Sequence, residues 1–370
     1  MRKIKRNILL TPGPATTTDS VKLAMAAPDI CPREKEFCAV LGKIRKDLVK
    51  IVKGGGGYTA VLFAGSGTSM VDSVINSVTP PGKKIAVAVN GAYGERMVKI
   101  AESYRIPCVR IDFEWTKKVD VDKVNEILKK DHDIACLAVV HHETSTGILN
   151  PVYELGDVCK KNNRTFIVDA VSSYAGVPID IKKSKADFLI STSCKCIQGA
   201  SGCVFAICKK TALEKIKNYP TRSFYLNLYM QYEYLEKTGQ MAFTPPVPSI
   251  YALSRAIKEY FKEGGGNRYK RYTQNWKILR RGLLSLGFDL LLKEEEESHI
   301  LLTLLEPKSK NYSFKKMHDF LYKKGFTIYP GKIDSKKTFR LANMGDIYPK
   351  DIKKFLINLK SFLEYYKITL

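Results

Sequence analysis

Between residues 58 and 208 the chain repeats one unit, a short run of β-branched and other apolar residues followed by a stretch long enough for a helix. The apolar runs are Ala60–Ala64, Lys84–Asn90, Cys108–Phe113, Ile134–Val140, Thr165–Asp169, Ala186–Thr192 and Cys203–Cys208. Helices are expected over Thr68–Val78, Tyr93–Tyr104, Asp120–Lys130 and Val152–Lys161. The runs are apolar at consecutive positions, not at every second one, so the sheet they form must be covered on both faces. Strands of this kind alternating with helices predict an α/β domain with a mostly parallel seven-stranded sheet. In such sheets ligands bind outside the carboxyl ends of the strands. The residue after each run is therefore the place to look for chemistry.

Near residue 250 the pattern changes. Pro245, Pro246 and Pro248 precede a helical stretch over Ser249–Glu263, which Gly264–Gly266 ends or interrupts. The rest reads as helix, strand (His299–Leu305), helix, short strand (Thr327–Tyr329), strand (Thr338–Ala342) and helix, a smaller α+β domain. The expected division is a large domain over 16–260 and a small one made of 1–15 and 261–370. The Glu294–Glu297 run reads as a solvated segment.

Composition narrows the function classes. Lys and Arg number 61 against 37 Asp and Glu, a formal charge of +24, but the excess is spread along the chain in Lys-Lys pairs. It reads as a lysine-rich surface that also attracts anionic substrates. No basic-aromatic module appears, so nucleic acid is not an expected partner. No apolar run approaches the ~18 residues that span a bilayer, and the N-terminal apolar run is too short for a secretory signal. Nine cysteines without framework spacing read as reduced thiols, and a cytoplasmic location is expected.

Four strand ends carry chemistry. Ala60–Ala64 runs into Gly65-Ser66-Gly67-Thr68 where a helix opens, which suits an anion or else a simple Ser/Thr cap. Ile134–Val140 leads to His141-His142-Glu143-Thr144-Ser145-Thr146-Gly147. Adjacent histidines on a strand face opposite ways and make a poor metal pair, so the Thr144–Thr146 turn is the better ligand contact. Asp169 ends a buried strand, where a carboxylate caps a turn or awaits a cation. Lys195, just after Ala186–Thr192, is either a surface lysine in a loop or stands where desolvation and a neighbouring ligand could tune an amine for Schiff-base chemistry. Cys194, Cys196 and Cys203 supply three thiols with no close fourth ligand, so no metal is expected.

Phosphate turn, strand-end Asp and strand-end Lys, in that order and with Asp169 and Lys195 26 residues apart, resemble the class V (fold type I) pyridoxal-phosphate (PLP) aminotransferases. Thr11-Pro12-Gly13-Pro14 and Glu143-Thr-Ser-Thr-Gly147 add to that likeness. Asp29–Phe37, Asn90-Gly-Ala-Tyr-Gly-Glu-Arg-Met97, Lys195-Cys-Ile-Gln-Gly199 and Tyr329-Pro-Gly-Lys332 resemble the branch of this class that uses phosphonates. The resemblance runs from about Leu9 to the C-terminus. It implies pyridoxal 5'-phosphate as cofactor, 2-aminoethylphosphonate and pyruvate as substrates, and a homodimer. Alanine or serine with glyoxylate or pyruvate is the alternative pair.

The resemblance also implies residue roles. Ser66, Gly67 and Thr68 would hold the cofactor phosphate, with Thr244 reaching in from a second subunit. Tyr93 would stack on the pyridine ring, Thr144 would bond its 3′-oxygen, Asp169 its nitrogen, and Lys195 would carry it as a Schiff base. Arg340 would grip the substrate's phosphonate or carboxylate with its planar fork. The residue before the lysine is usually Asn, Gln or His in those relatives and Cys194 here. A thiol donates weakly, so one phosphate contact is expected to be lost or taken by water.

Overall fold

A computed structural model describes residues 4–333 and 336–370; residues 1–3, at the head of the expected small-domain segment, and 334–335 lie outside it. Seven strands form the central sheet: β1 (Tyr58–Gly65), β2 (Lys84–Val89), β3 (Cys108–Asp112), β4 (Ile134–Val140), β5 (Thr165–Asp169), β6 (Phe188–Thr192) and β7 (Gly202–Lys209). Their order is β1-β7-β6-β5-β4-β2-β3. Only β7 runs antiparallel, between β1 and β6. Every residue of β6 is buried, which requires cover on both faces. Helices Gly67–Val78 and Ala92–Ser103 pack against each other and on the sheet, and helix Lys35–Ile51 packs against Val247–Glu263.

Helix Val152–Lys161 and strand Ile134–Val140 have the bounds read from the sequence. The helices Lys35–Ile51 and Leu228–Thr238 carry no such expectation, because both lie outside the repeating unit. The glycine run resolves cleanly. The helix ends at Glu263, Gly264 turns with φ 81°, and Gly265 starts a second helix to Ser285.

The C-terminal part builds its own three-stranded antiparallel sheet from Leu301–Leu305, Thr338–Ala342 and Tyr329–Pro330. The expected strand Thr327–Tyr329 is split. Phe326–Thr327 pairs in parallel with Ile8–Leu9, while Tyr329–Pro330 joins Thr338–Ala342. A distant N-terminal segment thus claims half of what reads locally as one strand. Leu10, Trp276, Phe339, Phe355 and Phe362 belong to one hydrophobic core, separate from the core around the central sheet.

Glu294–Glu297 is not wholly solvated. Glu297 is buried, accepts a hydrogen bond from Trp276 Nε1 at 2.7 Å and pairs with Arg280 at 3.3 Å. Burial first, opposed by those two partners, pushes its carboxyl up to about 7.

Candidate active site

The sheet register brings three ligand-edge segments together. Gly202 at the start of β7 lies opposite Gly65 at the end of β1, and Val204 lies opposite Thr192. On the other side of β6, Asp169 is in register with Ile190. A cavity of about 370 Å³ opens at this edge, and Ser66, Gly67, Thr68, Tyr93, Asp169 and Lys195 all line it. A second hollow, about 350 Å³, lies at the opposite edge among Lys160, Arg164, Lys182 and Lys209. That edge is not where parallel sheets bind their ligands.

At the first segment, Ser66 caps helix Gly67–Val78 by its backbone geometry, and its side chain makes no capping hydrogen bond. The helix start is therefore left with amides and a hydroxyl for an anion. Arg96 reinforces it: this guanidinium lines the same cavity, and its Nη1 donates to Thr68 Oγ1 at 2.9 Å. The sequence motifs by themselves assign Arg96 no role. The signal was available, because helix Ala92–Ser103 puts Arg96 one turn after Tyr93 on the same side.

Asp169 is buried, and its Oδ1 accepts from Val171 N at 2.8 Å. Burial, assisted by the charge of Glu143, raises its carboxyl to about 6 against the pull of Val171, Arg96 and Lys195. A carboxylate so raised gains from a cationic N–H placed beside it.

Lys195 Nζ donates to the carbonyl oxygen of Pro12 at 2.5 Å. The loop that carries it is fixed from several directions. Ala15 N donates to Cys194 O at 2.9 Å, Arg268 Nη1 to Cys196 O at 2.9 Å, and Gln198 Nε2 to Tyr272 Oη at 2.7 Å. Much of Lys195–Gly199 therefore positions the lysine instead of touching a ligand. Cys194 lines the cavity, with its sulfur 3.8 Å from Thr192 Oγ1.

Tyr93 carries two cations near its ring, Arg96 and Lys332, each 4.8 Å from the centroid. Burial works to raise its phenol. The hydrogen bond with Thr144 and the charges of Lys332, Lys195 and Arg340 outweigh that and lower it. Thr144 is buried and is not among the cavity-lining residues; its carbonyl oxygen accepts from Arg340 Nη1 at 3.0 Å. Glu143 accepts from the amides of Tyr93 and Gly94 and so caps the helix that presents Tyr93 and Arg96. Thr244 is exposed and outside the cavity of the single chain.

Arg340 is fully buried beside Tyr93. The expected two-pronged fork is partly occupied: Nε donates to Pro330 O at 2.9 Å and Nη1 to Thr144 O at 3.0 Å. Its Nη2 is buried with no hydrogen-bond partner among the described residues. His141 and His142 are buried and bonded to Ser173 and Ser172, and burial lowers them to about 4 and about 3. Among the described residues no cluster of His, Cys, Asp and Glu could hold a metal.

An anion-binding helix start, a raised carboxylate and an amine around one cavity fit the phosphate, ring nitrogen and aldehyde of pyridoxal phosphate. The class V aminotransferase family model matches residues 28–343. A 2-aminoethylphosphonate–pyruvate transaminase of Lysinibacillus sphaericus is 42% identical over 96% of this chain and 97% of its own. One from Phocaeicola vulgatus is 40% identical over 96% and 98%. The solved ureidoglycine–glyoxylate aminotransferase of Bacillus subtilis shares the fold with a TM-score of 0.91 at 22% identity, over 100% of this chain and 95% of its own. The matched model covers most of the sequence and these relatives align nearly end to end: the chain belongs to the class V aminotransferases, pyridoxal-phosphate enzymes of fold type I.

Proposed function

We propose that this chain transfers the amino group of 2-aminoethylphosphonate to pyruvate, giving phosphonoacetaldehyde and alanine. The relatives that carry this activity in their names support the reading. The structural observation that carries it is Arg340, a fully buried guanidinium beside Tyr93 whose Nη2 has no hydrogen-bond partner among the described residues. A buried, unpaired donor on a permanent cation is costly unless an anion completes it. The amino-bearing carbon of the phosphonate donor has no carboxylate, so its remote acid group must fix its orientation.

When bound, pyridoxal phosphate supplies an electron sink for the pair left on the amino-bearing carbon as that carbon loses a proton. Ser66, Gly67 and Thr68 would hold its phosphate, with Arg96 adding charge, and Asp169 would keep its ring nitrogen protonated. Lys195 Nζ would hold its aldehyde carbon until substrate arrives, then take the proton from the amino-bearing carbon. Tyr93 would cover the ring, and Thr144 would contact its 3′-oxygen. A homodimer in which Thr244 completes the phosphate site across the interface belongs to the same reading, as does a cytoplasmic location, with all nine cysteines unpaired. The two separate hydrophobic cores support a division into a large domain over 16–260 and a small one of 1–15 and 261–370.

A panel of amino donors assayed against pyruvate tests the reaction. Turnover of 2-aminoethylphosphonate well above serine and other small amines supports it, and turnover of the amino acids alone refutes it. Borohydride reduction of the holoenzyme followed by peptide mapping tests the lysine: label on any residue but Lys195 overturns that assignment, and Lys195→Ala should remove both label and turnover.

A further inference from the structure

The segment Tyr329-Pro-Gly-Lys332 is laced to the strand that carries Arg340. Tyr329 lies opposite Arg340 and Pro330 opposite Phe339, and Gly331 N donates to Thr338 O at 2.8 Å. A Cβ at Gly331 would overlap Thr338 Oγ1, so only glycine lets the two segments approach this closely. The Tyr329 ring lies under the Arg340 guanidinium, 5.2 Å from its central carbon, and Pro330 O takes the Arg340 Nε hydrogen bond. The next residue, Lys332, extends its ammonium to the Tyr93 ring, at 4.8 Å from the centroid. Tyr93 lines the cofactor cavity.

Two of the three nitrogens of Arg340 already hold backbone carbonyls, so the guanidinium cannot clamp a three-oxygen, doubly charged group by itself. A carboxylate has two oxygens and one charge, whereas a phosphonate has three oxygens and a second ionisation that takes it towards ~2 charges, as in phosphate esters. The other cations around Tyr93 have work elsewhere, Arg96 at Thr68 and Lys195 at the reacting carbon. We infer that Lys332 is the second cation of the acid-group subsite and selects the phosphonate dianion over a carboxylate. This rests on the phosphonate reading above. The ammonium, a flexible point charge, leaves the Tyr93 ring for the phosphonate oxygens that Arg340 does not reach. A monoanionic carboxylate is served by Arg340 alone.

The test uses the holoenzyme in single-turnover half-reactions with 2-aminoethylphosphonate and with L-alanine, for wild type, Lys332→Met and Lys332→Arg. The half-saturating concentration of 2-aminoethylphosphonate should rise about tenfold or more in Lys332→Met, with that of L-alanine within about threefold and the limiting rates of both kept. Lys332→Arg should recover most of the loss. A second arm measures ethylphosphonate and propionate as competitive inhibitors of the L-alanine half-reaction at mildly alkaline pH, where ethylphosphonate is a dianion. Lys332→Met should weaken ethylphosphonate alone. Equal losses for both acid types, or none for ethylphosphonate, overturn the inference. A wild type that ignores 2-aminoethylphosphonate yet loses ethylphosphonate binding in Lys332→Met would instead refute the proposed substrate and leave the dianion site standing.

Discussion

The ammonium of Lys195 is held by the carbonyl oxygen of Pro12, 183 residues earlier in the chain. The adjoining Gly13, at φ 134°, lies so close that any Cβ would overlap the end of the Lys195 side chain. The N-terminal Thr-Pro-Gly-Pro segment is thus a wall of the cavity, although it lies far ahead of the central sheet in sequence.

Gly13→Ala should therefore displace Lys195 without unfolding either core. The positive φ and the overlap together cost roughly 1–3 kcal/mol locally. We expect kcat to fall by about tenfold to a hundredfold with little change in melting temperature. Stopped-flow spectra of the half-reactions together with thermal melts would check this, and unchanged rates would mean that the lysine works from another position.

Asp169→Asn should show opposite effects on rate and on apoprotein stability. The rate should drop by several kcal/mol in activation terms, because the ring nitrogen would lose the anionic partner proposed for it. Without cofactor, the Asp169 carboxyl is raised to about 6, so its charged form is disfavoured by the fold. Wild-type stability is therefore lost as pH rises from about 4 through 6, and asparagine avoids that loss. The apo variant should be more stable than apo wild type by up to roughly 3 kcal/mol at pH 8, with the gap closing towards pH 4. Denaturant melts across that range decide it, and a gap independent of pH would reject the burial argument.

Arg340→Ala removes the donors to Pro330 and Thr144 as well as the proposed anion contact. Both half-reactions should lose about 2–5 kcal/mol in kcat/KM. Arg340→Lys keeps the charge and should fall between, since one ammonium cannot hold both carbonyls and the substrate. Cofactor loading, read by visible absorbance, should change little. Full activity of Arg340→Ala with 2-aminoethylphosphonate would mean that the phosphonate is bound elsewhere.

The proposed dimer can be checked at Thr244, which is exposed in the single chain. Thr244→Val should weaken cofactor retention by about 1.5–3 kcal/mol, the worth of one hydrogen bond to a charged group. Sedimentation of the holoenzyme should give a dimer at assay concentration, and a fully active monomer would contradict the shared site.

By itself the sequence determined the central sheet and the order of its chemistry. Strands buried on both faces must be continuously apolar, so Ile134–Val140 and Thr165–Asp169 announced both themselves and the polar residues at their tips. Tertiary structure alone decided what long-range contacts control. Helix Lys35–Ile51, itself outside the repeating unit, is held by packing on β1 and on helix Val247–Glu263. Strand Thr327–Tyr329 was divided by the arrival of Ile8–Leu9. Glu297 was drawn inward by Trp276 and Arg280, although a run of four glutamates reads as solvated. The Arg340 fork was partly taken by Pro330 and Thr144 oxygens, one of them from a turn 196 residues away. Local patterning records which face of an element is buried, but a side chain's hydrogen-bond partners are fixed only when distant backbone carbonyls are brought within reach.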